Sequence, residues 1–254
     1  MKSLLVLFAF LCLLGCSKEE SPKPIDRTAN LKGPGDSAND ILSDSKFKYL
    51  TIEIGYVKGF APTQAAISEL VALLNRHAHK DKIDVTYKEL ASPNKDSLSI
   101  QEISDLEKEN RTVYNDGETL GMYIYFSDAS SEGDKPEENS VTLGAVYRNT
   151  SMVIYGATIK KLVSKSFLIT DEEVEATTLS HEIGHLLGLV DLGSPSVNDH
   201  EDPIAENHCN IAGCLMRAEL EFGSGVAKML ASRNGAPPAF DAACLEDLRA
   251  NGGK

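Results

Sequence analysis

Residues 181–191 read HEIGHLLGLVD, and this stretch limits what the chain can build more than any other. His181 and His185 stand four positions apart. On an α-helix both imidazoles then leave the same face, about 6 Å apart along the axis. That arrangement lets two ring nitrogens meet one Zn²⁺ at roughly 2.0–2.1 Å. Glu182 can reach a metal-bound water without itself ligating the metal. Gly188 allows the left-handed turn by which a chain leaves a helix and doubles back.

The flanking residues fit a helix built for this purpose. Thr170-Asp171-Glu172-Glu173 is a T-x-x-E capping box with three acids in the first turn, where they favour the positive end of the helix dipole. Leu179, Ile183 and Leu186 recur at helical spacing away from the histidines, giving a core face and a metal face.

The amino terminus carries a different signal. Lys2 precedes an apolar run from Leu4 to Leu14 that is too short to span a bilayer. It ends in Leu13-Leu14-Gly15-Cys16, which resembles the lipobox of bacterial lipoproteins. That resemblance implies a signal segment over residues 1–16, cut before Cys16 once the Cys16 thiol is acylated. It puts the chain on the bacterial cell envelope, lipid-anchored at the outer membrane and facing the periplasm or the surface. Residues 17–47 are rich in Ser, Lys, Asp, Gly and Pro and read as a flexible tether.

Residues 48–254 suffice for one domain with a sizeable core, expected as a monomer. A formal net charge of −13 argues against nucleic acid as a partner. Leu50, Ile52, Ile54 and Tyr56 alternate as a strand, and Ile67, Leu70, Val71 and Leu74 form a helical stripe. Ile83, Val85 and Tyr87 mark a second strand; Ser99-x-x-Glu102 caps a helix holding Ile103 and Leu106. Met122, Ile124 and Phe126 form a third strand. An acidic loop over 132–139 follows, then strands at Val141–Tyr147 and Met152–Tyr155. This order predicts an α+β fold, a mixed twisted sheet with helices packed against it. His77 and His79 close the first helix, where a cation suits the dipole, and are left out of the site.

With these motifs in place, the chain resembles the metzincins, whose zinc motif HExxHxxGxx(H/D) is followed by a methionine turn. It is most similar to the archaemetzincins, in which that motif runs into H-C-x4-C-x-M and later F-C-x-x-C. His208-Cys209-Asn210-Ile211-Ala212-Gly213-Cys214-Leu215-Met216 matches the first, and Phe240-Asp241-Ala242-Ala243-Cys244 matches the second with Asp241 at one cysteine position. The chain also resembles metzincin-like lipoproteins of Gram-negative bacteria. The resemblance implies an upper lobe over 48–188 that ends with the zinc helix. A small lower lobe over 189–254 follows, with Met216 on the Met-turn beneath the metal. It also implies an edge strand at Val141–Tyr147 to which an extended peptide can add.

Two departures follow. Asp191 keeps the expected spacing from Gly188, whereas His208 keeps the spacing to Cys209, and residues 192–207 form an insertion containing His200. All three side chains can ligate zinc, so the third ligand stays open between His208, Asp191 and His200, in that order. In the archaemetzincins four cysteines hold a second, structural zinc. Here Cys209, Cys214 and Cys244 remain, with Asp241 in the fourth place or acting as a helix N-cap. An exported chain meets oxidising conditions, which favours a Cys209–Cys214 disulfide over a second zinc and leaves Cys244 unpaired.

The activity implied is zinc-dependent hydrolysis of a peptide or protein substrate, with Glu182 as the general base. The rival from another class is a zinc-containing surface lipoprotein that binds a protein or glycan and cleaves nothing.

Overall fold

The computed structural model describes residues 26–135, 137, 141–232 and 238–254. The signal sequence, Cys16, the first part of the expected tether and part of the 132–139 loop lie outside the described residues.

A five-stranded sheet organises the molecule. Its strands are β1 (Tyr49–Val57), β2 (Lys82–Leu90), β4 (Thr119–Phe126), β6 (Gly144–Arg148) and β7 (Ser151–Ile154), in the order β2-β1-β4-β7-β6. The first four in that order are parallel, and β6 alone runs antiparallel, at the edge. A minor pair, β3 (Ser97–Leu98) and β5 (Ser130–Ser131), lies apart from the main sheet. The mixed sheet expected from the apolar alternation is thus present, with a larger parallel share than alternation alone reveals.

Both faces of this sheet are covered. Ile52 and Ile54 of β1, Met122 and Ile124 of β4, and Met152 of β7 pack into one core with α2 (Gln64–His77) and α5 (Asp171–Leu186). The alternate residues Tyr123, Tyr125 and Val153 pack into a second cluster with Ile103 of α3 (Ile100–Asn110). Period-two alternation therefore feeds two apolar layers, and β4 is almost wholly buried. Both capping boxes form: Ser99 with Glu102 opens α3, and Thr170 with Glu173 opens α5. A helix the alternation pattern did not reveal, α4 (Gly156–Val163), follows β7 directly. Its eight residues are too few to print a clear period.

The tether requires correction over its described part. Residues 38–42 form α1, and Ile41, Leu42 and Phe47 are buried in the main core. Asn30 is also buried, donating to Asn115, the Gly121 carbonyl and Thr150. A few apolar residues at helical spacing supply the docking energy that average composition concealed.

After α5 the chain turns at Gly188 with φ +78° and enters the carboxy-terminal segment, which holds α6 (Gly223–Ser232) and α7 (Ala242–Ala250). Cys209, Met216, Leu230 and Leu248 of this segment belong to the same core cluster as Ile52 and Leu179. The two expected lobes therefore share one continuous core. None of the helices among the described residues is long and apolar enough to cross a membrane.

Candidate metal centre

The helix α5 is buried from Val174 to Leu186, so its polar side chains are held away from water at a cost. His181, His185 and His208 converge: one ring nitrogen from each lies within 4.8 Å of the others. The Nε2 atoms of His181 and His185 are 3.2 Å apart, close to the roughly 3.3 Å separating two tetrahedral ligands of zinc–nitrogen length 2.0–2.1 Å. The remaining ring nitrogens are partly committed. His181 Nδ1 donates to the Leu215 carbonyl at 2.8 Å, and His208 Nδ1 donates to the Glu206 carbonyl at 2.9 Å. Each of these two bonds fixes the tautomer that leaves Nε2 with its lone pair, as a metal requires.

Burial holds the two rings of α5 neutral. It pushes His181 down to about 3, with the neighbouring His208 adding to the effect and the Leu215 carbonyl opposing it. His185 is driven well below the ordinary imidazole range by burial, then by His181 and His208. Clustered imidazoles with lone pairs facing one another fit a divalent cation. His208 Nε2 has no hydrogen-bond partner among the described residues, which also suits a ligand position.

His208 is the third-ligand candidate that the structure brings to α5; the other two go elsewhere. Asp191 adopts φ +59° and accepts the Ser196 amide at 2.7 Å. His200 Nε2 donates to Asp247 Oδ2 (2.7 Å), and its Nδ1 faces Cys209 Sγ at 3.3 Å. The insertion keeps His208 in place by folding back on itself. Glu201 and Cys209 form an antiparallel bridge, the Asn210 amide donates to the His200 carbonyl, and Asp247 of α7 receives the Val197 amide. Residues 200–210 thus form a folded-back loop that ends in the segment carrying His208.

Glu182 stands beside His181 and against the edge strand. A Cβ on Gly144 would meet Glu182 Cγ at 2.8 Å and Oε1 at 2.9 Å, so only glycine leaves this carboxylate its place. Burial raises the Glu182 carboxyl well above its ordinary value, and Glu221 adds to this, while the Val146 amide favours the ionised form. Glu221, which the sequence did not single out, lies with Oε2 3.6 Å from His208 Nε2. Met216 is buried against α5, where a methyl group on Gly184 would overlap its sulfur.

The cysteines belong to a group separate from this centre. Cys209, Cys214 and Cys244 are free thiols, so the expected Cys209–Cys214 disulfide is not formed. Cys209 Sγ donates to Asp241 Oδ2 at 3.0 Å, and Cys214 Sγ lies 3.6 Å from Cys244 Sγ. Burial pushes the Cys209 thiol up to about 12, and the Asp241 carboxylate adds to the rise. Asp241 also caps α7, its Oδ1 accepting from the Ala243 and Cys244 amides at 2.7 and 3.2 Å. Ligand atoms of His200, Cys209, Asp241 and Cys244 lie within 4.8 Å of one another, a second group able to hold a cation. The sequence offered no signal for His200 here, because its approach depends on α7.

No protein-family model matches the sequence, and no curated protein matches it. Among solved structures, the crystal structure of archaemetzincin from Methanopyrus kandleri matches with a TM-score of 0.51 at 16% identity. The match covers 80% of this chain and 96% of that one. The chain therefore has an archaemetzincin-like α+β fold, and that fold carries the three-histidine group just described.

Proposed function

We propose that the chain is a zinc-dependent metalloendopeptidase in which His181, His185 and His208 hold Zn²⁺ through Nε2. The observation that carries the proposal is the convergence of three buried imidazoles beside a buried carboxylate. Bound there, zinc would polarise a peptide carbonyl and lower the pKa of a bound water toward 7. Glu182 accepts the proton released as the carbonyl is attacked and delivers it to the leaving amine. Gly144 keeps that carboxylate against β6, and an extended substrate adding to the β6 edge brings its scissile bond past Glu182. Leu215 and Glu206 hold two of the rings through their carbonyls, and Met216 packs against α5.

The test is to incubate the purified chain with a mixed peptide library, with and without chelator. Cleavage that vanishes with chelator and returns with Zn²⁺ is the expected result. In Glu182→Gln, cleavage should fall about 10²–10⁴-fold while the metal stays bound. A variant that cuts as fast as the parent would remove Glu182 from the mechanism.

One observation favours a second reading. Glu221, 3.6 Å from His208 Nε2, is placed to close the metal's remaining face with a protein group. A closed shell would make the protein a non-proteolytic, zinc-containing surface lipoprotein that binds a protein or glycan. Visible spectra of the cobalt-substituted chain distinguish the two, because an added hydroxamate perturbs an open shell only. The lipobox resemblance supports anchoring of either form to the bacterial envelope through acylated Cys16, readable by mass spectrometry of the mature amino terminus.

A further inference from the structure

Three buried thiols meet where the turn at Leu215–Met216 packs on α7, and their surroundings differ. Cys209 is fully engaged: its thiol donates to Asp241 at 3.0 Å, faces His200 Nδ1 at 3.3 Å and receives the Ile211 amide at 3.4 Å. Cys214 and Cys244 face each other, their sulfurs 3.6 Å apart, in van der Waals contact, with Asp241 also beside Cys214. We propose that Cys214 and Cys244 are a disulfide-forming pair that fastens the Leu215–Met216 turn to α7, with Cys209 left as a thiol held by Asp241 and His200. This inference is independent of the peptidase reading.

Closing the bond brings the sulfurs from 3.6 Å to about 2.05 Å, within reach of side-chain rotation. Joining Cys209 to either partner would instead withdraw its sulfur from Asp241 and from the buried His200. The reaction is thiol–disulfide exchange with a low-molecular-weight disulfide such as glutathione disulfide. One cysteine thiolate attacks that co-reactant and releases one of its thiols. The second cysteine attacks the mixed disulfide and releases the other. Two protein thiols lose two electrons and two protons, and the co-reactant's disulfide takes them up as two thiols.

Cys214 and Cys244 are 1% and 0% exposed, so a bulky co-reactant meets them only before the carboxy-terminal segment closes. The bond is therefore set during folding and is protected afterwards. It has a consequence at the histidines. Leu215, next to Cys214, supplies the carbonyl that orients His181, and the Met216 amide donates to Cys214 Sγ at 3.3 Å. A cross-link here fixes the acceptor on which the His181 ring depends.

The experiment refolds the full chain in a glutathione redox buffer without added metal, alkylates the remaining thiols and maps the unreduced peptides by tandem mass spectrometry. The expected result is a Cys214–Cys244 link with Cys209 alkylated, retained in Cys209→Ser and lost in Cys244→Ser. The linked chain should also unfold at higher denaturant than the same chain with reductant. A bond involving Cys209 would overturn the proposal. So would three alkylated thiols, or an isolated chain in which Cys244 is a thiol holding a cation with Cys209.

Discussion

The Nδ1 proton of His181 on α5 is donated to the backbone carbonyl of Leu215 at 2.8 Å, tying two positions 34 residues apart. The bond does two jobs. It chooses the tautomer that presents Nε2 to its neighbours, and it seats the turn carrying Met216 under the helix. Gly184 completes the arrangement, since the Met216 sulfur occupies the space a side chain there would need.

Gly184→Ala should therefore push Met216 aside and lower zinc affinity. The expected cost in stability is about 1–3 kcal/mol, as for other overpacked cores. Denaturant unfolding and competitive zinc titration measure the two effects, and unchanged affinity would show that the turn does not govern the histidines.

Replacing candidates for the third ligand should separate them sharply. His208→Ala is expected to weaken zinc binding by more than about 100-fold, beyond the usual effect of losing a supporting group. Asp191→Asn should change it less than about threefold, because Asp191 is committed to the Ser196 amide. Zinc titration with a chromophoric competitor reads both.

Gly144→Ala tests the placement of Glu182. The added methyl would stand 2.8 Å from Glu182 Cγ, and the carboxylate must move. Peptide cleavage should fall about 10²-fold, the scale set by roughly 1 Å of misplacement. Zinc affinity should stay within about twofold of the parent. A loss of both together would point to a wider disturbance.

Acid stability has an identifiable contributor at His77. Burial lowers its pKa below the ordinary imidazole value, with Arg76, Arg249 and Lys254 adding to the effect, and its ring centroid lies 5.7 Å from that of Phe240, edge to face. The unfolded chain then binds the proton first as pH falls below 6.5, so stability drops until the folded-state pKa is passed. His77→Phe keeps an aromatic ring but removes the titration. Its unfolding free energy should fall less than the parent's between pH 7.5 and 5.5, measured in urea with zinc present. Equal slopes would exclude His77.

Local signals were legible wherever they depend on neighbours in sequence. Both capping boxes, the Asp241 cap and the four-residue spacing of His181 and His185 need only one helix each. The described part of the expected tether, by contrast, folds onto the sheet. Its average composition is polar, while Ile41, Leu42 and Phe47 find apolar partners contributed by distant strands.

The sequence by itself determined α5: a periodic apolar face, a capped start, two imidazoles one turn apart and a glycine exit. Tertiary structure alone decided which distant side chains join it. His208 reaches the pair because the insertion closes on itself and is tied to Asp247 of α7, whereas Asp191 is turned aside by a left-handed backbone. His200 joins the thiols for the same reason, and Glu221 arrives from the far side of the turn. Helical spacing is encoded over a few residues, but convergence of separate loops depends on contacts between positions far apart in the sequence.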